Sequence, residues 1–160
     1  MYPPKRLIYL HGLFGSSSGV KATLLRGLFP QILTPDFSGS LAERMEQLYL
    51  LLKDSTGWTM VGSSFGGLMG ALFTCRRPLQ VEKLILLAPA LIWPDFALSP
   101  PPPVDVPVVV YQGSNDEHLP PEQVERLARI AFRNLAFHLV DDDHGLYKTV
   151  HALDWQKLLG

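Results

Sequence analysis

Cysteine and clustered positive charge are the two features that this 160-residue sequence has least of. Its one cysteine, Cys75, excludes an intramolecular disulfide and a zinc site built from several thiolates, and it fits a reducing compartment. The 14 basic and 15 acidic side chains give a net charge of −1 without any basic tract, so nothing indicates nucleic-acid binding. Because 47% of the residues are hydrophobic and only 18% are charged, we expect a single folded domain over residues 1–160.

A long apolar run is also missing. Only residues 7–10 form an apolar stretch near the start, whereas the apolar part of a signal peptide needs about 7–15 residues. Residues 58–75 carry no charge, but glycines and hydroxyl-bearing residues interrupt them. That composition favours a buried strand, a tight turn and a buried helix over a membrane span. We therefore expect a soluble cytoplasmic protein with no membrane span, and the sequence leaves its oligomeric state open.

Short apolar runs alternate with helix-period segments along the chain. The apolar runs lack polar alternation, so they predict about six parallel strands with helices on both faces, a compact α/β fold. The segment 89–107 holds seven of the 14 prolines and looks too short to form a separate lid domain. A capping box at Ser40 and Glu43 marks the clearest helix start. Strands are predicted over 7–10, 31–34 (the weakest), 58–61, 83–88, 106–112 and 135–140, and helices over 19–29, 41–52, 64–76, 121–131 and 146–158.

The segment Gly62-Ser63-Ser64-Phe65-Gly66 matches G-x-S-x-G, a sharp strand-to-helix turn that exposes a nucleophilic serine. Such a turn crowds the residues two before and two after the serine, and glycine occupies both places here. The pattern predicts Ser64 as a nucleophile. The backbone amide of Phe65, at the start of a helix, would stabilise a negatively charged oxygen. A tightly packed glycine turn without chemistry is the alternative.

A second loop, His11-Gly12-Leu13-Phe14-Gly15-Ser16, directly follows the first predicted strand. Enzymes that use such a serine turn place another oxyanion donor on a loop of this kind. The backbone amide of Leu13 is the candidate donor, and that of Phe14 is the alternative. We expect His11 itself to be a buried side chain that bridges loop backbones. The loop lacks the glycine patterns of phosphate-binding loops.

Two further polar residues follow later predicted strands. Asp116 comes after the fifth strand and His144 after the sixth. Because the carboxyl ends of parallel strands meet at one edge, both belong on the same edge as Ser64. The chain order Ser64, Asp116, His144 is the nucleophile, acid and base order of one class of hydrolase. Glu117 is the alternative acid, and residues 141–143 are expected to form a solvated acidic turn or an opportunistic cation site.

These motifs together resemble the YqiA-like esterases, compact bacterial proteins of the α/β-hydrolase fold. The resemblance rests on Tyr9-Leu10-His11-Gly12, Lys21-Ala22 and Val61-Gly62-Ser63-Ser64-Phe65-Gly66-Gly67, and it is looser beyond residue 70. It implies a small α/β-hydrolase domain and carboxylesterase activity on short acyl esters. It also implies a triad of Ser64, Asp116 and His144, whose mechanism requires neither a metal nor an organic cofactor.

The expected partner is a small-molecule acyl ester, which needs a mostly apolar pocket. Phe14, Trp93 and Leu119 are the predicted substrate contacts. They are chosen from the bulky apolar residues that flank the motifs, namely Phe14, Phe65, Leu91, Ile92, Trp93, Phe96, Leu119 and Leu146. No basic cluster adjoins the motifs, so the sequence gives no sign of acidic acyl groups or coenzyme A. Thioester or amide hydrolysis, another reaction on this fold and a non-catalytic role in binding a partner protein stay open.

Overall fold

The computed structural model describes residues 4–160, which form one parallel sheet of five strands. The strands lie in the sheet in the order in which they occur along the chain. Because every neighbouring pair is parallel, all five carboxyl ends meet at one edge of the sheet. The strands are β1 (Arg6–Leu10), β2 (Trp58–Ser63), β3 (Val81–Leu87), β4 (Val108–Gly113) and β5 (Leu135–Val140).

Helices cover both faces of this sheet, as the sequence predicts. A connection from one parallel strand to the next is right-handed. The helices that lead from one strand to the next in the order β1 to β5 therefore lie on the same face of the sheet. The first helix instead leads back to the outer edge of β1 and so lies on the opposite face, where Lys21 contacts Tyr147 of the sixth helix. The helices are α1 (Val20–Leu28), α2 (Leu41–Leu52), α3 (Phe65–Arg76), α4 (Pro94–Ala97), α5 (Pro121–Ala131), α6 (Tyr147–Ala152) and α7 (Trp155–Leu159), with a 3-10 turn at Pro78–Gln80.

The weak strand predicted over 31–34 is reduced to a single bridge. The Leu33 N–H donates to the Leu7 carbonyl at 2.9 Å, and the Leu33 carbonyl accepts from the Tyr9 N–H at 2.8 Å. Pro35 stands at the next bonding position after Leu33 and has no N–H to donate, so the ladder cannot continue there. The sheet therefore has five strands rather than about six.

Helix α3 forms the centre of the hydrophobic core against β1, β2 and β3. Every residue from Phe65 to Thr74 is buried, so this helix has no polar face. That environment accounts for the uncharged sequence over 58–75, since a helix covered on all sides must be apolar all round. Within residues 4–160, the structure contains no helix with both the length and the hydrophobicity to cross a membrane.

One C-terminal prediction differs in detail from the structure. The helix predicted over 146–158 is two short helices, because the chain is extended at Leu153 and starts again at Asp154. The Asp154 carboxylate accepts from the Lys157 N–H at 3.0 Å and so caps α7. The proline-rich segment 89–107 contains only the single turn of α4 and forms no lid domain.

The start of α3 approaches β1 and β2 through glycines. A Cβ at Gly66 would overlap the carbonyl oxygens of Leu10 and His11, and one at Gly62 would lie 2.5 Å from the Gly66 carbonyl oxygen. Only residues without a side chain allow backbones to come this close. The contact holds the first turn of α3 against the carboxyl ends of the two strands.

Gly66→Ala is expected to lower the free energy of unfolding by at least about 2 kcal/mol, because backbone carbonyls cannot rotate away from an added methyl group. Gly27→Ala is the matched control, since a Cβ at Gly27 meets nothing within 4 Å inside α1. There alanine should stabilise the helix by up to about 1 kcal/mol. Urea denaturation of both variants tests this, and equal effects would contradict the packing described.

Candidate active site

Ser64 occupies the strained turn between β2 and α3. Its φ of 53° and ψ of −112° lie in a region that residues with a side chain rarely adopt, at a cost of about 1–3 kcal/mol. Hydrogen bonds hold the turn: the Ser64 N–H donates to the Leu87 carbonyl at 2.9 Å, and the Ser64 carbonyl accepts from the Leu68 and Ala90 N–H groups at 3.1 and 3.0 Å. The hydroxyl is thereby presented at the carboxyl edge of the sheet.

Three predicted side chains lie in one row of hydrogen bonds. The Ser64 Oγ is 3.0 Å from His144 Nε2, and His144 Nδ1 is 2.8 Å from an Asp116 carboxylate oxygen. Because a carboxylate only accepts, Nδ1 carries the imidazole proton and Nε2 offers its lone pair to the hydroxyl. This is the arrangement in which an imidazole can take a proton from a hydroxyl.

The Asp116 side chain is 0% exposed and saturated with donors. One carboxylate oxygen accepts from the His118 and Leu119 N–H groups, both at 2.9 Å, and the other accepts from Gln112 Nε2 at 3.0 Å as well as from His144. Burial alone would raise the pKa of Asp116, but hydrogen bonds from His144, the two amides and Gln112 bring it below its ordinary value. The group therefore stays ionised beside the imidazole at neutral pH.

The loops that carry Asp116 and His144 are bound to each other. The Asn115 N–H donates to the Asp142 carbonyl at 3.0 Å. Gly113 lies under the same turn, where a Cβ would be 2.5 Å from the Asp142 carbonyl oxygen. The acid and the imidazole are thus held by a single unit built from two loops.

Asp142 organises the acidic turn that the sequence predicts to be merely solvated. Its carboxylate accepts from the Thr149 N–H at 2.9 Å and from the Thr149 hydroxyl at 2.8 Å, which ties the turn to α6. Burial would raise the pKa of Asp142, but the bonds from Thr149 and from the Asp143 N–H lower it. Asp142 therefore supports the loop of His144, a role that the prediction of a solvated turn does not include.

The loop after β1 aims the Leu13 amide. His11 is buried and bridges two loops: its Nδ1 donates to the Gly12 carbonyl at 2.7 Å, and its Nε2 accepts from the Phe37 N–H at 2.9 Å. The Gly12 carbonyl also accepts from the Gly15 N–H at 3.0 Å. The Gly12 carbonyl and the Leu13 N–H belong to one peptide group and point in opposite directions, because the peptide is trans. The bonds to the carbonyl therefore fix the direction of the Leu13 N–H.

The candidate oxyanion donors have no acceptor within residues 4–160. The Leu13 N–H forms no hydrogen bond there, and neither does that of Phe14, the alternative donor. The Phe65 N–H is the first of α3 and so has no partner inside the helix. These amides are free to bind a negatively charged oxygen.

Arg44, on α2, contacts two of the residues that carry these amides, Leu13 and Phe65. Its guanidinium donates to the Leu13 carbonyl at 3.4 Å and to the Gly39 carbonyl at 3.0 Å, and it lies 5.4 Å from the centroid of the Phe65 ring. Arg44 is only 6% exposed. No sequence motif marks Arg44, although its spacing three residues after Leu41 and four before Leu48 places it beside the buried stripe of α2.

A cavity of about 570 Å³ opens beside Ser64 and His144. The predicted substrate contacts Phe14, Trp93 and Leu119 all line it, with Phe14 99% exposed at its edge. Three other apolar residues that flank the motifs, Leu91, Phe96 and Leu146, lie in the hydrophobic core instead.

Lys21 also lines this cavity, although no sequence motif predicts a role for it in the site. The helix predicted over 19–29 is observed as α1, but the sequence leaves its buried face unassigned. Ala22 and Leu25 are the buried residues, whereas Val20 and Leu28 are largely exposed. Lys21 precedes Leu25 by one helical turn and therefore faces inward.

Other reactive side chains lie outside the row of three. Glu117, the alternative acid, is exposed, and His118 packs edge-on against His144 with ring centroids 5.0 Å apart. Burial raises the pKa of Cys75 to about 12, so its thiol is unreactive at neutral pH. Within residues 4–160, no three His, Cys, Asp or Glu side chains are grouped as metal ligands.

The fold is that of the α/β hydrolases. Alpha/beta hydrolase domain-containing protein 10 from mouse is 18% identical over 96% of this chain and 90% of its own, with a TM-score of 0.77. Est1E from Butyrivibrio proteoclasticus is 19% identical over 98% and 88%, with a TM-score of 0.76. A marine microorganism esterase is 17% identical over 99% and 95%, with a TM-score of 0.73. No family model and no curated protein sequence matches the chain.

Asp142→Asn is expected to lower the free energy of unfolding at pH 7 by about 1 kcal/mol, because Thr149 loses a charged acceptor. The lowered pKa means that this stabilisation is present above the unfolded-state pKa of about 3.9 and is lost as the pH falls through the lower folded-state value. The difference in stability between the wild type and the variant should therefore shrink as the pH falls below about 5, and it should vanish only below the lowered folded-state pKa of Asp142.

The matched control for this experiment is Asp54→Asn, because Asp54 is exposed and forms no side-chain hydrogen bond within residues 4–160. Urea denaturation across this pH range measures both variants. A constant difference between the wild type and Asp142→Asn down to pH 3 would show that the carboxylate does not stabilise this turn.

Proposed function

We propose that this protein is a serine hydrolase, a carboxylesterase that cleaves short-chain acyl esters through an acyl-enzyme. The observation that carries the proposal is the hydrogen-bonded row Ser64–His144–Asp116 at the strained strand–helix turn, open to a cavity. Esterases are among the proteins that share the fold. The sequence resemblance to the YqiA-like esterases supports the same reaction.

In the first half of the reaction, the Ser64 oxygen attacks the carbonyl carbon of the ester. His144 Nε2 takes the hydroxyl proton as the new C–O bond forms. Asp116 keeps the other ring nitrogen protonated and stabilises the imidazolium. The imidazolium then gives its proton to the departing alcohol oxygen as the ester bond breaks, which leaves the acyl group on Ser64.

The negative charge of the tetrahedral intermediate falls on the former carbonyl oxygen. The Leu13 and Phe65 amides serve as its donors, since neither has an acceptor within residues 4–160. Water then attacks the acyl-enzyme with His144 again as the base, and Ser64 recovers its proton as the carboxylic acid leaves.

The dimensions of the site favour small substrates. The cavity of about 570 Å³ is within the range of small-molecule sites and is lined by apolar side chains such as Ile92, Trp93 and Leu119. The segment between β3 and β4 supplies one turn of helix beside it, without a lid domain. An acyl group of a few carbons fits this arrangement.

Ser64→Ala is expected to abolish hydrolysis of 4-nitrophenyl acetate and covalent labelling by a fluorophosphonate, because within residues 4–160 the Ser64 hydroxyl is the one that hydrogen-bonds His144 Nε2. Its circular dichroism should match that of the wild type. Cys75→Ser is the control and should keep both activities, since the thiol lies outside the cavity lining. Unchanged turnover by Ser64→Ala would refute the proposal.

Asp116→Asn is expected to lower kcat by up to about 10⁴-fold, because an amide in place of the carboxylate favours the wrong imidazole tautomer. Glu117→Gln, the exposed neighbour, should change kcat less than twofold. Steady-state kinetics on the same ester compares the two variants. A comparable loss of kcat in both variants would show that Asp116 is not the specific acid partner of His144.

A further inference from the structure

The cavity beside Ser64 contains one lysine and no acidic side chain among the described residues that line it. The ammonium of Lys21 forms no hydrogen bond and no salt bridge within residues 4–160. The ammonium lies over the ring of Tyr147, whose centroid is 4.7 Å from Nζ. A partly buried cation with only an aromatic face beside it keeps three hydrogen-bond donors available.

The nearest carboxylates already have other partners. Asp142 accepts from Thr149 and from the Asp143 N–H, while Asp143 accepts from the Gly145 N–H at 3.0 Å. Both carboxylates favour the charged form of Lys21 from a distance, against the burial that lowers its pKa. Neither neutralises it by direct contact.

The other residues of the lining leave the charge of Lys21 without a negative counterpart in the cavity. Side chains such as Phe14, Val20, Ile92 and Trp93 offer a ligand apolar contact but no negative charge. In such surroundings the attraction between an ammonium and an anionic ligand is less screened than in water. The cavity is therefore complementary to a substrate that is apolar over most of its length and carries one negative group.

We propose that Lys21 binds a carboxylate of the substrate, so that the preferred substrates of this site are esters carrying a free carboxylate near the scissile bond. This inference rests on the proposed ester hydrolysis and specifies its substrate class. The carboxylate belongs either to the acyl part or to the alcohol part, and the chemistry at Lys21 is the same in both cases: a charge-assisted hydrogen bond from the ammonium.

Two pairs of esters of matched shape test the proposal and distinguish these sources. Monoethyl succinate and ethyl 4-methylpentanoate differ only by a carboxylate in the acyl part. The corresponding pair for the alcohol part is 3-acetoxypropanoate and 3-methylbutyl acetate. In one pair, the wild type should show a kcat/KM at least about tenfold higher for the anionic ester, equivalent to about 1.4 kcal/mol.

Lys21→Met should remove this preference mainly through KM, since the ammonium binds the ground state and the transition state alike. Lys21→Arg should retain most of the preference because it keeps the charge. Lys148→Met is the matched control: Lys148 is exposed, lies outside the cavity lining and carries the same charge, so its removal should leave the ratio unchanged. If Lys21→Met changes the ratio of kcat/KM for the anionic ester to that for the neutral ester less than twofold in both pairs, the inference is overturned.

A binding measurement separates this inference from the proposed reaction. Calorimetry should detect binding of monoethyl succinate or 3-acetoxypropanoate to Ser64→Ala. The double variant Ser64→Ala/Lys21→Met should bind the same ester with a Kd at least about tenfold higher. Turnover of neutral esters without this difference in binding would refute the role of Lys21 alone. Binding that depends on Lys21 without turnover of any ester would refute the esterase proposal alone.

Discussion

The close approach of backbones at Gly66 is the constraint on which the arrangement of the site depends. It holds the first turn of α3 against the carbonyls of Leu10 and His11, which belong to the end of β1 and the loop that follows. That contact fixes the Ser64 turn relative to the Leu13 amide, because both are attached directly to the two packed segments. The strain at Ser64 persists because the surrounding packing and hydrogen bonds leave the chain no relaxed alternative.

Much of the fold could be predicted because its signals are local. Apolar runs without alternation predict parallel strands, and the capping box at Ser40 marks the start of α2, as the structure confirms. Burial on both faces holds for β2, whose residues are all buried, but not for β5, which is partly exposed. Parallel topology then predicts that the residues after β2, β4 and β5 share an edge. The structure brings Ser64, Asp116 and His144 within hydrogen-bonding distance there, while their chemical roles remain predictions.

The remaining features depend on contacts that no local pattern encodes. The sequence predicts the helix α1 but not which of its sides meets the sheet, so it gives no role to Lys21. Arg44 reads as one charge on an amphipathic helix, and only the fold places it between Leu13 and Phe65. Asp142 looks like any residue of a solvated turn until α6 brings Thr149 to it.

The residues of the site belong to two parts of the structure that are held in place by different contacts. Ser64 and the loop of Leu13 belong to the β1–α3 half, whereas His144 and Asp116 belong to two mutually bonded loops after β4 and β5, and β5 is a partly exposed edge strand. The 3.0 Å bond between Ser64 and His144 spans the seam between these halves. Partial fraying of the edge strand would lengthen that bond while the core of the sheet stayed folded, so reactivity would fade on warming before the global melting transition.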